Sequence, residues 1–173
     1  MPLSASDIRA AFDALGEELK NEQRNAEMVI AGGAALVLLY GARETTKDVD
    51  AYFVTPEASF IRNVAARVAE KLELPADWLN DGAKGYFLDV TKGEVLYSSV
   101  SLTVRAASTE QLLAMKLCAW RDAVDRDDAR LLLSHMSGSF EEIWLAIEPF
   151  MPAHQVDKAA YALQDLWESL HAP

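Results

Sequence analysis

The stretch "VIAGGAALVLLYGARETTKDVDAYF", Val29 to Phe53, decides the reading of this chain, because a long apolar run carries a Gly pair near its front and two aspartates near its back. "MVIAGG" predicts a short buried strand closing on a turn, and "AALVLLYG" predicts a short helix stopped by Gly41. "DVDAYFV" alternates polar and apolar residues, so it predicts a strand, ended by Pro56. Side chains in a strand alternate faces, which sends Asp48 and Asp50 to one side and Val49 to the other. Two ionised carboxylates aimed at one small volume repel, unless a hard cation that prefers oxygen sits between them; Mg²⁺ is the obvious candidate. The alternative is that one aspartate faces solvent at the strand end. Gly32 and Gly33 fall at the strand-to-helix turn, where a missing Cβ lets backbone pass close to a ligand and a helix N-terminus offers N–H groups to phosphate. Their plainer reading is a tight turn.

Outward from this stretch, the order of elements is regular. "MPLSASDIRAAFDALGEELK" places Ile8, Phe12, Leu15 and Leu19 at helical spacing and carries an acid at position 7, so it reads as an amphipathic helix and not a signal peptide. "EASFIRNVAARVAEKL" repeats the pattern through Phe60, Ile61, Val64, Ala65 and Val68. "LPADWLNDGAKGYF" reads as an irregular connection, followed by β-branched segments in "EVLYSSVSLTVRAA". The rest is helical: "STEQLLAMKLCAW", opened by a Ser108/Gln111 capping pattern, then "DRDDARLLLSHM", "SFEEIWLAIEPF" and "VDKAAYALQDLWESL". The expected fold is α/β in the α+β sense, a small mixed sheet flanked by helices. Residues 1–107 form the core with its N-terminal helix, and 108–173 form a helical C-terminal part packed on it as a single compact unit.

With 173 residues, 51% of them hydrophobic, the chain has material for one core of ordinary size. A net charge of -11 argues against broad electrostatic capture of nucleic acid and leaves room only for a local, salt-sensitive contact. One cysteine, Cys118, excludes an internal disulfide framework and fits a reducing compartment, so the cytoplasm is the expected location. The longest nearly uncharged run, Met28 to Ala42, is shorter than the roughly 20 residues a spanning helix needs, and no membrane segment is expected.

"AGGAALVLLYGARETTKDVDAYF" resembles the nucleotidyltransferase superfamily, with its DNA polymerase beta-like fold, in joining a Gly pair, a short helix and an Asp-x-Asp. The R-x-x-T-x-D-x-D form, carried by Arg43, Thr46, Asp48 and Asp50, is similar to a bacterial branch related to abortive-infection and toxin–antitoxin nucleotidyltransferases. "LPADWLND" and "LLAMKLCAWRDAVDRDDARLLL" resemble later blocks of that branch, so the likeness runs in pieces from about Val29 to Leu133.

The resemblance implies transfer of a nucleoside monophosphate from an NTP to an acceptor, RNA or protein, with a possible partner protein of a toxin–antitoxin pair. Asp48 and Asp50 would be the catalytic metal ligands for Mg²⁺ or Mn²⁺. Gly32 and Gly33 would present backbone to the triphosphate. Arg43 would pair with phosphate or, without metal, with the two aspartates. Thr46 would order the turn or serve as a plain β-former, and Lys116 would contact phosphate or snorkel from its helix. Asp125 and Asp128, at i and i+3, would orient Lys116 or Arg121, cap the helix, or be solvated.

One departure stands out. Active members of the superfamily often use a third carboxylate on a later strand, and "LYSSVSLTVRAA" has none; Asp89 and Glu94 are the nearest upstream acids. A nucleotide- or partner-binding regulatory module with weak or no chemistry is therefore the alternative. The three histidines show no zinc-ligand spacing, "MSGSF" is no nucleophile elbow, and "AGGAAL" fails the dinucleotide fingerprint. The tryptophans read as core or interface anchors, with base stacking by Trp78 as the alternative for a residue in a loop.

Overall fold

The computed structural model describes residues 1–171. Its contacts group into two compact units, Met1–Gly85 with Val90–Ala107, and Tyr86–Asp89 with Ser108–Pro173. The first is mixed α/β and the second helical. Among the described residues there are seven α-helices, a five-stranded mixed sheet and a small two-stranded antiparallel sheet.

In the first unit, β1 (Leu3–Ser4) leads into α1 (Ala5–Asn21), whose start is fixed by Ser4 and Asp7 exchanging hydrogen bonds as a capping box. The buried stripe Ile8, Phe12, Leu15 and Leu19 is the one its spacing predicts. β2 (Ala26–Ala31) runs straight into α2 (Gly32–Tyr40), which ends on Gly41 in the left-handed conformation at φ 58°. β3 (Thr45–Thr46) pairs with β1, and β4 (Val49–Thr55) returns antiparallel to β2 with Asp50 opposite Ala31. α3 (Ala58–Leu72) follows, burying Ile61, Val64, Ala65 and Val68; Phe60 stays partly exposed under the Arg24 guanidinium.

The sequence-based reading of residues 74–87 as irregular needs correction. Leu79–Asn80 forms a strand, β5, parallel to β4 with Asp50 opposite Asn80. β6 (Val95–Ser98) and β7 (Leu102–Ala106) form a hairpin, and β7 lies parallel to β2, giving the sheet order β5-β4-β2-β7-β6. Strand alternation sorts this sheet into two faces. Met28, Ile30, Val49, Ala51, Leu102 and Val104 share the fully apolar one, and all are essentially inaccessible. Asp50, Tyr52 and Arg105 share the other, where every one of them is partly exposed.

The second unit gathers α5 (Ala123–Ser134), α6 (Phe140–Ile147) and α7 (Val156–His171) around α4 (Thr109–Ala119). α4 is buried through Leu112, Leu113, Ala114, Leu117 and Cys118, the signature of a helix surrounded by others. Lys158 on α7 closes its C-terminal end by donating to the Cys118 and Ala119 carbonyls at 2.8 and 2.7 Å. No helix of the described residues is long and apolar enough to cross a membrane.

Candidate active site

Six of the seven residues assigned to the site lie within the first unit, and local backbone geometry explains why they converge. β2 ends at Ala31, directly opposite Asp50, so the next residues must turn beside that carboxylate. Gly32 does so at φ 63°, a conformation that costs an L side chain about 1 kcal/mol or more. A Cβ there would also stand 3.0 Å from Asp50 Oδ2. At Gly33 a Cβ would run into Thr46 Oγ1 and lie 3.5 Å from Arg43 Nη1. The Gly pair is thus what lets the head of α2 approach Asp50, Thr46 and Arg43 together. A tight turn explains Gly32's dihedral; it does not explain Gly33, whose need for a bare backbone comes from the Thr46 hydroxyl.

Asp48 precedes β4 by one residue, so it lies just outside the strand that sequence alternation assigned it to. Its carboxylate nevertheless shares Asp50's side of the sheet. Asn80 is Asp50's ladder partner, so its side chain points the same way, and its Nδ2 donates to Asp48 Oδ2 at 3.3 Å. Thr46 donates through Oγ1 to the Asp48 carbonyl at 3.4 Å, tying the turn to the strand as expected of a local Thr. Both aspartates are half-buried.

These groups suit Mg²⁺ or Mn²⁺: the oxygens are hard and carboxylate-rich, and the aspartates keep enough exposure for waters to complete an octahedral shell. Among the described residues, no group of three or more His, Cys, Asp or Glu side chains is arranged for a metal. The ladder shows what occupies the neighbouring strand instead. On β7, Arg105 is paired through Val29 to Tyr52, on Asp50's face, and Ala107 follows, its N–H bonded to the Ile30 carbonyl. Arg105 turns to Glu27 at 3.4 Å and to the Gly93 carbonyl at 3.3 Å. Glu94 is exposed at the start of the edge hairpin, and Asp89 belongs to the second unit.

Lys116 also belongs to the second unit, on α4, with its side chain 13% exposed. Its Nζ lies 3.0 Å from Asp125 Oδ1 and 2.7 Å from Asp128 Oδ2, both carboxylates buried. Asp125 also accepts from the Arg121 backbone and guanidinium at 3.0 and 3.1 Å. Burial pushes the Asp125 carboxyl upward, but hydrogen bonds from Arg121 and Lys116 outweigh it and hold it at about 2. Of the roles open to Asp125 and Asp128, ion pairing is the one observed, of both with Lys116 and of Asp125 also with Arg121; the helix cap is Asp122.

One alternative of the sequence reading closes, leaving Trp78 the core anchor it was expected to be, and one feature escaped that reading. Trp78 is not available to a base: it is fully buried, its Nε1 donating to the Ala65 carbonyl at 3.0 Å and its ring 6.3 Å from Phe12. Asn80 lies in the segment read as an irregular connection, where nothing in its spacing reveals that it stands beside residues some thirty positions upstream.

A mixed sheet that sets a Gly-Gly helix start against the strand carrying Asp50 defines a mixed α/β protein. The family described as "nucleotidyltransferase of unknown function (DUF6036)" matches residues 9–134, and the chain belongs to it. That span takes in the whole site and runs on through α4 and α5. No curated protein matches the chain. No solved structure matches it either.

Proposed function

We propose that this chain is a Mg²⁺- or Mn²⁺-dependent enzyme that transfers a nucleoside monophosphate from an NTP to a hydroxyl of RNA or protein, within a toxin–antitoxin-like pair that includes a partner protein. The observation that carries this reading is the approach of the Gly32–Gly33 backbone to Asp50, Thr46 and Arg43. That approach brings the head of α2 close to one carboxylate and one guanidinium, and Asp48 lies on Asp50's side of the sheet beside Asn80, which supports a reading in which a cation-bound triphosphate is held there. When bound, the cation supplies charge neutralisation for the phosphates and for the attacking and leaving oxygens. Asp48 and Asp50 hold it. The backbone at Gly32 and Gly33 and the Arg43 fork orient the triphosphate, so that the acceptor oxygen bonds to the α-phosphorus as the α–β anhydride breaks. Pyrophosphate leaves and the hydroxyl proton passes to water. Lys116 enters the proposal through the family resemblance as a phosphate contact; two of its three donors are already directed at Asp125 and Asp128.

The test is label transfer from each α-labelled NTP, with Mg²⁺ or Mn²⁺, onto total RNA or the protein itself. Transfer by wild type, lost in Asp48→Asn/Asp50→Asn, is the expected result; transfer that survives the double substitution refutes the site. A second reading follows from Arg105 on β7 and Ala107 just after it, neither of them an acid: a module that binds nucleotide or a partner protein and regulates without turnover. NTP binding with no pyrophosphate release favours it.

A further inference from the structure

We infer that Asn80 is a positioning residue of the cation site, acting through Asp48; the inference rests on the cation reading above and extends it to a residue outside the Asp-x-Asp motif. A carboxylate that serves a cation with one oxygen works best when its other oxygen is held, because rotation about the Cβ–Cγ bond otherwise has to be frozen on binding. Asn80 Nδ2 holds Asp48 Oδ2 at 3.3 Å.

The amide cannot point the other way. Its Oδ1 accepts from the Gly82 N–H at 2.9 Å, and that group only donates. Its Nδ2 faces the Asp48 carboxylate and the Asp77 carbonyl, which only accept. Flipping the amide would oppose like groups at every contact. Gly82 is part of this arrangement, since a Cβ there would stand 3.0 Å from Asn80 Oδ1.

The segment around Asn80 is anchored from both sides, which a decorative polar residue would not need. Before it, Trp78 sits fully buried with its N–H on Ala65, and its carbonyl accepts from Val49 N at 2.7 Å, the peptide between the two aspartates. After it, Asp81 takes both oxygens to Arg62 Nη1 at 2.8 and 3.0 Å, with Lys84 at 3.5 Å. Thus α3 clamps β5 through Ala65 and Arg62, and the only side chain of β5 that this clamp directs to the aspartates is Asn80.

The experiment measures Mn²⁺ binding by electron paramagnetic resonance, with no nucleotide and no turnover, for wild type, Asn80→Ala, Gly82→Ala, Asp48→Asn, the Asn80→Ala/Asp48→Asn pair and the Asp48→Asn/Asp50→Asn pair, alongside thermal melts. Wild type is expected to bind one Mn²⁺ and Asn80→Ala to bind it about tenfold more weakly, the scale typical of lost outer-shell partners, with a melting midpoint near that of wild type. Gly82→Ala should weaken binding in the same direction. In the Asp48→Asn background, removing Asn80 should change nothing further. Equal Mn²⁺ affinity in wild type and Asn80→Ala overturns the inference while leaving the cation reading intact, as does an Asn80 effect that persists without the Asp48 carboxylate. Wild-type protein that binds no Mn²⁺, or binds it equally with both aspartates replaced, overturns the cation reading and this inference with it.

Discussion

At the residue scale, the two glycines are alike in sequence and different in what they tolerate. Gly32→Ala meets a backbone penalty at φ 63° and a carboxylate oxygen at 3.0 Å, so it should destabilise the fold by about 1–2 kcal/mol in urea titrations as well as impair the site. Gly33→Ala has an ordinary backbone, and its cost falls on the Thr46 hydroxyl. Pairing Gly33→Ala with Thr46→Val should leave that collision largely unrelieved, since valine is the same shape; Thr46→Ala should relieve it. A stability measurement of the two double variants checks this. The turn at Gly32 and Gly33 and the strand carrying Asp50 were legible because a Gly pair and an alternating run are local signals, whereas the alternation reached one residue too far and took in Asp48, which precedes the strand. Asn80 was not legible for the opposite reason. A side chain that matters through one long-range ladder pair leaves no mark on its own neighbourhood.

At the scale of elements, α4 and α5 depend on a buried ion pair. Removing the cation strands two carboxylates out of water, so Lys116→Ala should cost about 3–5 kcal/mol by denaturant unfolding, well above what a surface Lys contributes. The same network sets an acid response. Asp125's carboxyl is held at about 2 in the fold, below the roughly 3.9 of an unfolded aspartate, so its stabilisation is complete above about pH 4 and is lost as pH falls toward 2. Unfolding curves for wild type and Asp125→Asn should therefore differ most at neutral pH and converge between about pH 4 and pH 2. Asp125→Asn losing as much stability at pH 2 as at pH 7 would refute this. Amphipathic spacing made α1 and α3 readable almost residue by residue, because each buries one stripe. β5 was missed because it is two residues long: pairing with β4 makes it a strand, and two residues carry no period.

At the scale of the whole molecule, the net charge of -11 sets how an NTP is met. Nucleotide and protein repel at long range, and a divalent cation is the natural intermediary between them. Binding of a fluorescent ATP analogue should be strong with Mg²⁺ and fall at least tenfold when EDTA removes it, whereas a basic nucleotide-binding protein would retain much of its affinity. Raising NaCl from about 50 to about 500 mM should weaken Mn²⁺ binding severalfold, as screening shortens the reach of the acidic field. The mixed α/β class was readable from the order of elements. The segment Tyr86–Asp89 groups with the helical unit: Phe87 is buried, and the Asp89 carbonyl accepts from the Gln111 side chain. Distant chain positions meet there without any composition shift to announce it.

Trp78 gives the molecule a built-in optical reporter. It is the sole tryptophan of the first unit, since Trp120, Trp144 and Trp167 all belong to the second. Its indole is dry and hydrogen-bonded, and its own carbonyl holds the peptide that separates Asp48 from Asp50. A variant with the other three changed to Phe would emit from this one ring, at short wavelength, and its residue is one hydrogen bond from the peptide that joins Asp48 to Val49. Filling or emptying the site would then be read as a change in colour or intensity, with no label, no substrate and no knowledge of the acceptor.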